Sequence, residues 1–354
     1  MPSYPNQGAG LTNPELLEYL ELPEDILTAL QTEQGTSFSA AANEFISALM
    51  NKVLYQQVAT MEFTNPFKKY DGFPINYGDT IENVFVELPK GYKFNKDATD
   101  PFTKAVPSVK SLYATINYEL QYETTIQDSL LRRAAVSEYG FMNLIDSILS
   151  TLSKSMSFDE YKGTIYMLNN EDIFADGIEE IEKGVDDTAT AKKVTETIVN
   201  TVSAFKIPMT ANNKLGVLNA ARPENCLLVI KYGLLNSINL DYLTGVFNLS
   251  KVDLINNIIE VDGFQVAKPG DETNADQTDD DPTLVGEDID FMIIDARGFD
   301  NHVALQDGGM IYNPKGKYTN HFMNLWKIVS FKYFYNARAF KLVEPSNDNE
   351  EVGG

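Results

Sequence analysis

The 354-residue chain contains one cysteine, one tryptophan and two histidines. With Cys226 alone, no internal disulfide can form. It stands in the apolar run Cys226-Leu227-Leu228-Val229-Ile230, where a small buried thiol is the expected reading rather than a nucleophile. A chain without disulfides suits a reducing compartment. The scarcity of histidine bears on catalysis and metal binding. His302 and His321 sit in neither an H-x-x-x-H nor an H-E-x-x-H spacing, so a zinc site would need carboxylates from distant segments. Both read as ordinary polar histidines. There is no phosphate-cradling P-loop and no nucleophile elbow. The one short Gly-x-Gly, Gly8-Ala9-Gly10, follows no strand. No run approaches the roughly 18 apolar residues of a membrane span. The first ten residues have neither a basic nor an apolar signal region, so a cytoplasmic origin is expected. No cofactor, metal or catalytic residue is indicated.

Positive charge is also scarce, and unevenly so. Lys and Arg number 28 against 51 Asp and Glu, a formal net charge of -23. Three stretches, 1–40, 270–290 and 344–354, hold 19 of the acids and no base, which leaves 32 acids against 28 bases elsewhere. The pattern is a nearly neutral body with acidic appendages, able to pack against copies of itself. Asp279-Asp280-Asp281 lacks the spacing and closing Glu of a calcium loop and reads as solvated. No basic stripe with interleaved aromatics exists, which argues against sequence-specific nucleic-acid binding.

What the chain has is 43% hydrophobic residues, including 18 Tyr and 20 Phe, enough for a sizeable core. Residues 1–13 read as an irregular arm, 14–31 as short helical pieces, and a helix starts near Ser37 or Ser39. Residues 63–120 are punctuated by Pro and Gly and decorated with lysines. Strands are expected at 80–88 and at 111–120, the latter with Leu112, Ala114, Ile116, Tyr118 and Leu120 on one face. A long, weakly apolar β excursion needs another surface to lie on. The spacing of Phe141, Leu144, Ile145, Ile148, Leu149, Leu152 and Met156 predicts a long helix from an N-cap at Ser137, about 45 Å over thirty residues. An acidic linker is expected at 170–187. A helix over 188–206 should bury Ala191, Val194, Ile198, Val202 and Phe205. Strand 226–231, a helical stretch over 233–246, and strand 290–295 follow. Asp262-Gly263 reads as a hairpin turn between two short strands, and Asp307-Gly308-Gly309 as another turn. A last β region covers 325–335 and 339–343.

This order of segments resembles the major capsid proteins of tailed bacteriophages, the Hong Kong 97-type shell fold, with its nearest texture in small short-tailed podoviruses. The resemblance implies an α+β fold with an N-terminal arm and short helices (1–62), an extended β loop (63–120), a peripheral domain with a long spine helix (121–187), an axial domain (188–309), a return β segment of the peripheral domain (310–343) and an acidic tail (344–354). It implies a structural protein of the virion, not an enzyme. That protein would assemble with itself into hexamers and pentamers of an icosahedral or prolate head, aided by a scaffolding protein and a portal, around dsDNA bound without sequence specificity and without a membrane. Contacts between copies are expected at Phe67, Lys68, Lys69, Tyr92 and Lys93 on the excursion, and at Arg132 and Arg133 before the long helix. No self-crosslinking Lys/Asn pair is identified. The competing readings are an encapsulin-like nanocompartment shell around protein cargo and, more weakly, an acidic metal-assisted hydrolase.

Overall fold

The computed structural model describes residues 44, 63–91, 93, 106–127, 140–238, 247, 257–270 and 284–345, with backbone alone over 140–149 and 236–237. The arm, the acidic 271–283 segment, the tail beyond 345 and the Ser137 cap lie outside these residues.

Ten strands are described. They are β1 Ile81–Val86, β2 Val109–Ala114, β3 Tyr118–Gln127, β4 Ile178–Glu182, β5 Cys226–Lys231, β6 Ile258–Val261, β7 Phe291–Asp295, β8 His302–Asn313, β9 Tyr318–Ile328 and β10 Ala337–Val343. Two long helices accompany them, α1 Gly140–Leu168 and α2 Asp187–Lys206.

The centre is a mixed five-stranded sheet in the order β4-β10-β7-β5-β6. Its inner strands read as unbroken apolar runs because both faces are covered. Cys226, Leu228, Ile230, Phe291, Ile293 and Phe340 pack under Val194, Ile198, Val202 and Phe205 of α2. On the other face Leu227, Val229, Met292, Ile294 and Ala339 meet Ile165 and Leu168 of α1, together with Phe67 and Phe264. The buried stripe of α2 is the one its spacing predicts. Asp186 caps the helix by accepting from Ala189 N at 2.7 Å, and Lys206 complements the dipole at the far end.

A second, antiparallel sheet in the order β3-β9-β8 lies along α1. Here Met156 of α1 meets Tyr118, Met323 and Leu325. The 29 residues of α1 extend about 43 Å. Strands β1 and β2 form a separate two-stranded ribbon. The strand expected at 111–120 is divided between β2 and β3, yet the in-out alternation runs unbroken from 109 to 127. One chain segment thus passes from the ribbon into the second sheet without changing the face it buries.

Several local expectations are corrected. The Asp262-Gly263 hairpin does not form. Strand β6 instead pairs in parallel with β5, and Phe264, beyond the turn, is drawn into the core with no exposed surface. Asp307-Gly308-Gly309 runs straight through β8, with Gly309 opposite Phe322. A Cβ there would stand 2.5 Å from the Phe322 ring, so the glycine makes room for a cross-strand aromatic. The turn comes later, where the Asn313 side chain accepts from Lys315 N and Gly316 N. The acidic 170–187 linker contains β4, a charged edge strand parallel to β10. The continuous β region expected over 325–335 ends at Ile328, where β9 stops. Of the helical stretch expected after Gly233, the described part is a short 3-10 turn, Leu234–Ser237. The partition at 309/310 also does not follow the sheets. Strand β8 spans it, and β10 returns to the five-stranded sheet between β4 and β7.

Candidate assembly surface

The ribbon has two unlike faces. In register, Ile81 faces Ala114, Asn83 faces Leu112 and Phe85 faces Lys110, and these side chains turn toward the chain's own body. Phe85 stacks obliquely on Phe334, ring centroids 5.4 Å apart, and Lys110 donates to the carbonyl of Leu215. The alternate positions, Val84, Val86, Val109 and Tyr113, point away and are at least half exposed. Leu88 (73% exposed) and Val106 (82%) extend this apolar side toward the ribbon's tip. A two-stranded ribbon is marginal alone. This one spends half its apolar residues, with Glu82 and Ser111 beside them, on an outer face that no described residue of the chain covers, and exposed apolar residues gathered in that way mark an interaction surface.

The root of the ribbon is tied down by charge. Lys327 on β9 is only 2% exposed. Its Nζ lies 2.7 and 2.9 Å from the two carboxylate oxygens of Asp71 and 3.2 Å from Glu160 Oε1 of α1. Lys68 reaches both Glu160 oxygens at 3.1 Å and Asp71 at 3.3 Å. Two ammonium groups and two carboxylates therefore join the root, α1 and β9. Burial works against the charge of Lys68, but Glu160 and Asp71 outweigh it and hold its pKa above the ordinary lysine range. A few residues on, Gly72 N donates to Asn301 O at 2.7 Å and Ile75 N to Val303 O at 2.9 Å. Asn83 donates to Asp300, which also pairs with Lys332 at 3.2 Å. Gly72 must be glycine, because a Cβ there would lie 2.3 Å from the His302 ring.

The expected contact residues fare differently. Phe67 has no exposed surface and belongs to the chain's own core, packed near Tyr161 and Phe299. Its ring is thus unavailable to a neighbouring copy, a correction that follows from apolar burial winning over position in an extended segment. Lys68 is committed to the ion network, and Lys69 lies over the ring of Tyr70 at 5.0 Å. Lys93 is exposed. Tyr92, Arg132 and Arg133 lie outside the described residues.

Glu160, Asp71 and Lys327 went unnoticed in the sequence, although one signal was available. The alternation of Met323, Leu325 and Lys327 puts the lysine on the inward face of β9, where a buried ammonium requires carboxylate partners. Elsewhere, burial pushes the Cys226 thiol up to about 12, which suits an inert core residue rather than a nucleophile. No described helix is long and apolar enough to cross a membrane.

This arrangement has known relatives. The chain is 25% identical over 345 residues to the major capsid protein of Bacillus phage PZA, an alignment covering 89% of this chain and 72% of that protein. It is 26% identical over 324 residues to the major capsid protein of Streptococcus phage Cp-1, covering 87% and 85%. Its backbone resembles a chain in the capsid structure of Staphylococcus phage Andhra, with a TM-score of 0.62 and 11% identity, covering 81% of this chain and 87% of that one. At that identity the likeness is one of fold. The model of the Phi29-like phage major capsid protein family matches residues 24–341, and the chain belongs to that family, whose members build the protein shell of a phage and are not enzymes.

Proposed function

We propose that this capsid protein is a Hong Kong 97-type tile whose β1–β2 ribbon supplies the contact between neighbouring copies. In this reading α1 and the β3-β9-β8 sheet form the peripheral body, and α2 with the five-stranded sheet forms the axial body. The 63–120 excursion is the extended loop, and residues 1–62 are the arm. Copies close into hexamers and pentamers, because a shell requires heterologous contacts that close into rings. A scaffolding protein and a portal assist assembly in the host cytoplasm, and the shell encloses dsDNA without reading its sequence. The acidic character of the chain supports weak or repulsive contact with the packaged phosphate backbone. Lys93, Tyr92, Arg132 and Arg133 remain proposed contacts between copies.

The single observation that carries this reading is the exposed outer face of the ribbon, Val84, Val86, Val109 and Tyr113, set on an inner face anchored to the body. Exchanging Val84 and Val86 together for lysine tests it. Surface substitutions of this kind change folding stability by about 0.5 kcal/mol or less each, whereas unpaired ammonium groups in a closed apolar contact are strongly disfavoured. The expected result is a folded, soluble chain that negative-stain microscopy shows failing to form shells, with scaffold present. Shells of normal size and yield from the double variant would refute the ribbon's role.

A further inference from the structure

We infer that His302 is a protonation-dependent latch on the root of the ribbon. The ring is 5% exposed and both of its nitrogens face acceptors. Nδ1 lies 2.8 Å from the carbonyl oxygen of Phe73, and Nε2 lies 3.2 Å from Oδ1 of Asp300. A carbonyl oxygen and a carboxylate oxygen can only accept. The imidazolium, with two N–H groups, satisfies both. A neutral imidazole satisfies one and turns a lone pair toward the other acceptor. The acceptors have little freedom to move away. Asp300 is buried and held on its other oxygen by Asn83 of β1. The Phe73 segment is fixed on either side by Gly72 N to Asn301 O and by Ile75 N to Val303 O. The Phe73 ring also meets the imidazole edge-on, centroids 4.6 Å apart.

Among the described residues, the charges around the ring are few. Asp300 comes from its own segment. Lys332, from the turn after β9, lies 3.2 Å from the same Asp300 oxygen. Asp71, next to Gly72, is engaged by Lys327 and Lys68. In its charged form His302 therefore joins the 71–75 segment, β1 through Asp300 and Asn83, and the start of β8. These are the elements that set how the ribbon leaves the body. Loss of the proton removes one of the two bonds, and hydrogen bonds to charged groups are the stronger kind. The root loosens when the ring gives up its second proton. The sense is opposite to acid release, since this latch closes in acid and opens in base. Its consequence for shell geometry rests on the ribbon reading above, but the latch itself is a property of one chain.

The test is amide hydrogen exchange by mass spectrometry on the full chain, comparing peptides spanning 70–85 at pH 5.5 and pH 8 after correction for intrinsic exchange. Protection is expected to fall about tenfold or more from pH 5.5 to pH 8, the size expected for losing a hydrogen bond to a charged group. In His302→Gln, which can donate only from its amide end, the pH dependence should vanish. A second readout needs no variant. With 15N-labelled histidine and two histidines in the chain, the ring-nitrogen shifts of His302 should report a doubly protonated ring at pH 5.5. Equal protection of 70–85 at both pH values, or a ring already singly protonated at pH 5.5, would overturn the latch. Neither result would touch the ribbon's role in assembly, which the lysine variants decide separately.

Discussion

Replacing Lys327 by methionine should destabilise the chain severely, and the structure says by how much. The ammonium touches Asp71 at 2.7 Å and Glu160 at 3.2 Å while being almost fully withdrawn from water. At 3 Å and an effective dielectric constant near 20, each charge contact is worth roughly 5 kcal/mol before desolvation is subtracted. Methionine matches the stem's volume, so cavity formation is a small part of the effect. What remains after the exchange is two buried carboxylates sharing Lys68, which is 43% exposed along its side chain. Breaking a buried pair from one side costs about 3–5 kcal/mol, because a charge is left without compensation. The sharper expectation concerns the second step. Glu160→Gln in the Lys327→Met background restores the balance of one carboxylate, Asp71, to one ammonium, Lys68. The double variant should therefore be more stable than the sum of the single losses by about 1–3 kcal/mol. Guanidinium unfolding of the unassembled chain provides the assay, followed by fluorescence of Trp326, the chain's one tryptophan, which packs 4.8 Å from Tyr77 at the ribbon root. A Lys327→Met loss below about 1 kcal/mol, or strict additivity in the double variant, would show that the network does not hold the root.

Two further outcomes are expected. His321 has no exposed surface and, among the described residues, no hydrogen-bond partner on either ring nitrogen, and burial lowers its pKa to about 4. The fold thus keeps it neutral while the unfolded chain takes up a proton near pH 6.5. Its contribution is fully present above pH 6.5 and is lost as pH falls toward 4, so between pH 7 and pH 4.5 the wild type should lose about 2–3 kcal/mol more unfolding free energy than His321→Phe, with equal losses contradicting the burial argument. Gly286→Ala should cost about 1–3 kcal/mol or more by thermal melting, because its Cβ would stand 2.6 Å from the backbone of Phe264, which cannot swing aside; an unchanged melting temperature would show that the 264 segment yields freely.

Much of the frame was legible because its periodicities are strong. Helix α2 and strands β5 and β7 lie within a residue or two of where their apolar spacing puts them. The mixed helix and sheet content agrees with the α+β class that the family resemblance implied. Strand β4 was hidden because an edge strand in the sequence Ile178-Glu179-Glu180-Ile181-Glu182 carries as much charge as a linker. Asp262-Gly263 misled because a turn dipeptide is a local signal, while the pairing of β6 was decided by the open edge of β5 and by the burial of Phe264. Gly308 and Gly309 read as a turn for the same reason, although both lie within β8 and Gly309 makes room for the Phe322 ring. At the proposed assembly surface, the weakly apolar character of the excursion was legible. Which of its residues turn outward was not. Phe67 and Val84 both look like apolar residues of an extended segment, and only the three-dimensional register sends one into the core and the other outward.

The most direct test of the ribbon as the joint between copies is an electron cryo-microscopy map of assembled shells, read at Val84, Val86, Val109 and Tyr113. These four side chains should be buried against a neighbouring copy while Phe85 stays on Phe334 of its own chain. A map of intact shells in which the outer face of the ribbon remains open to solvent would contradict it.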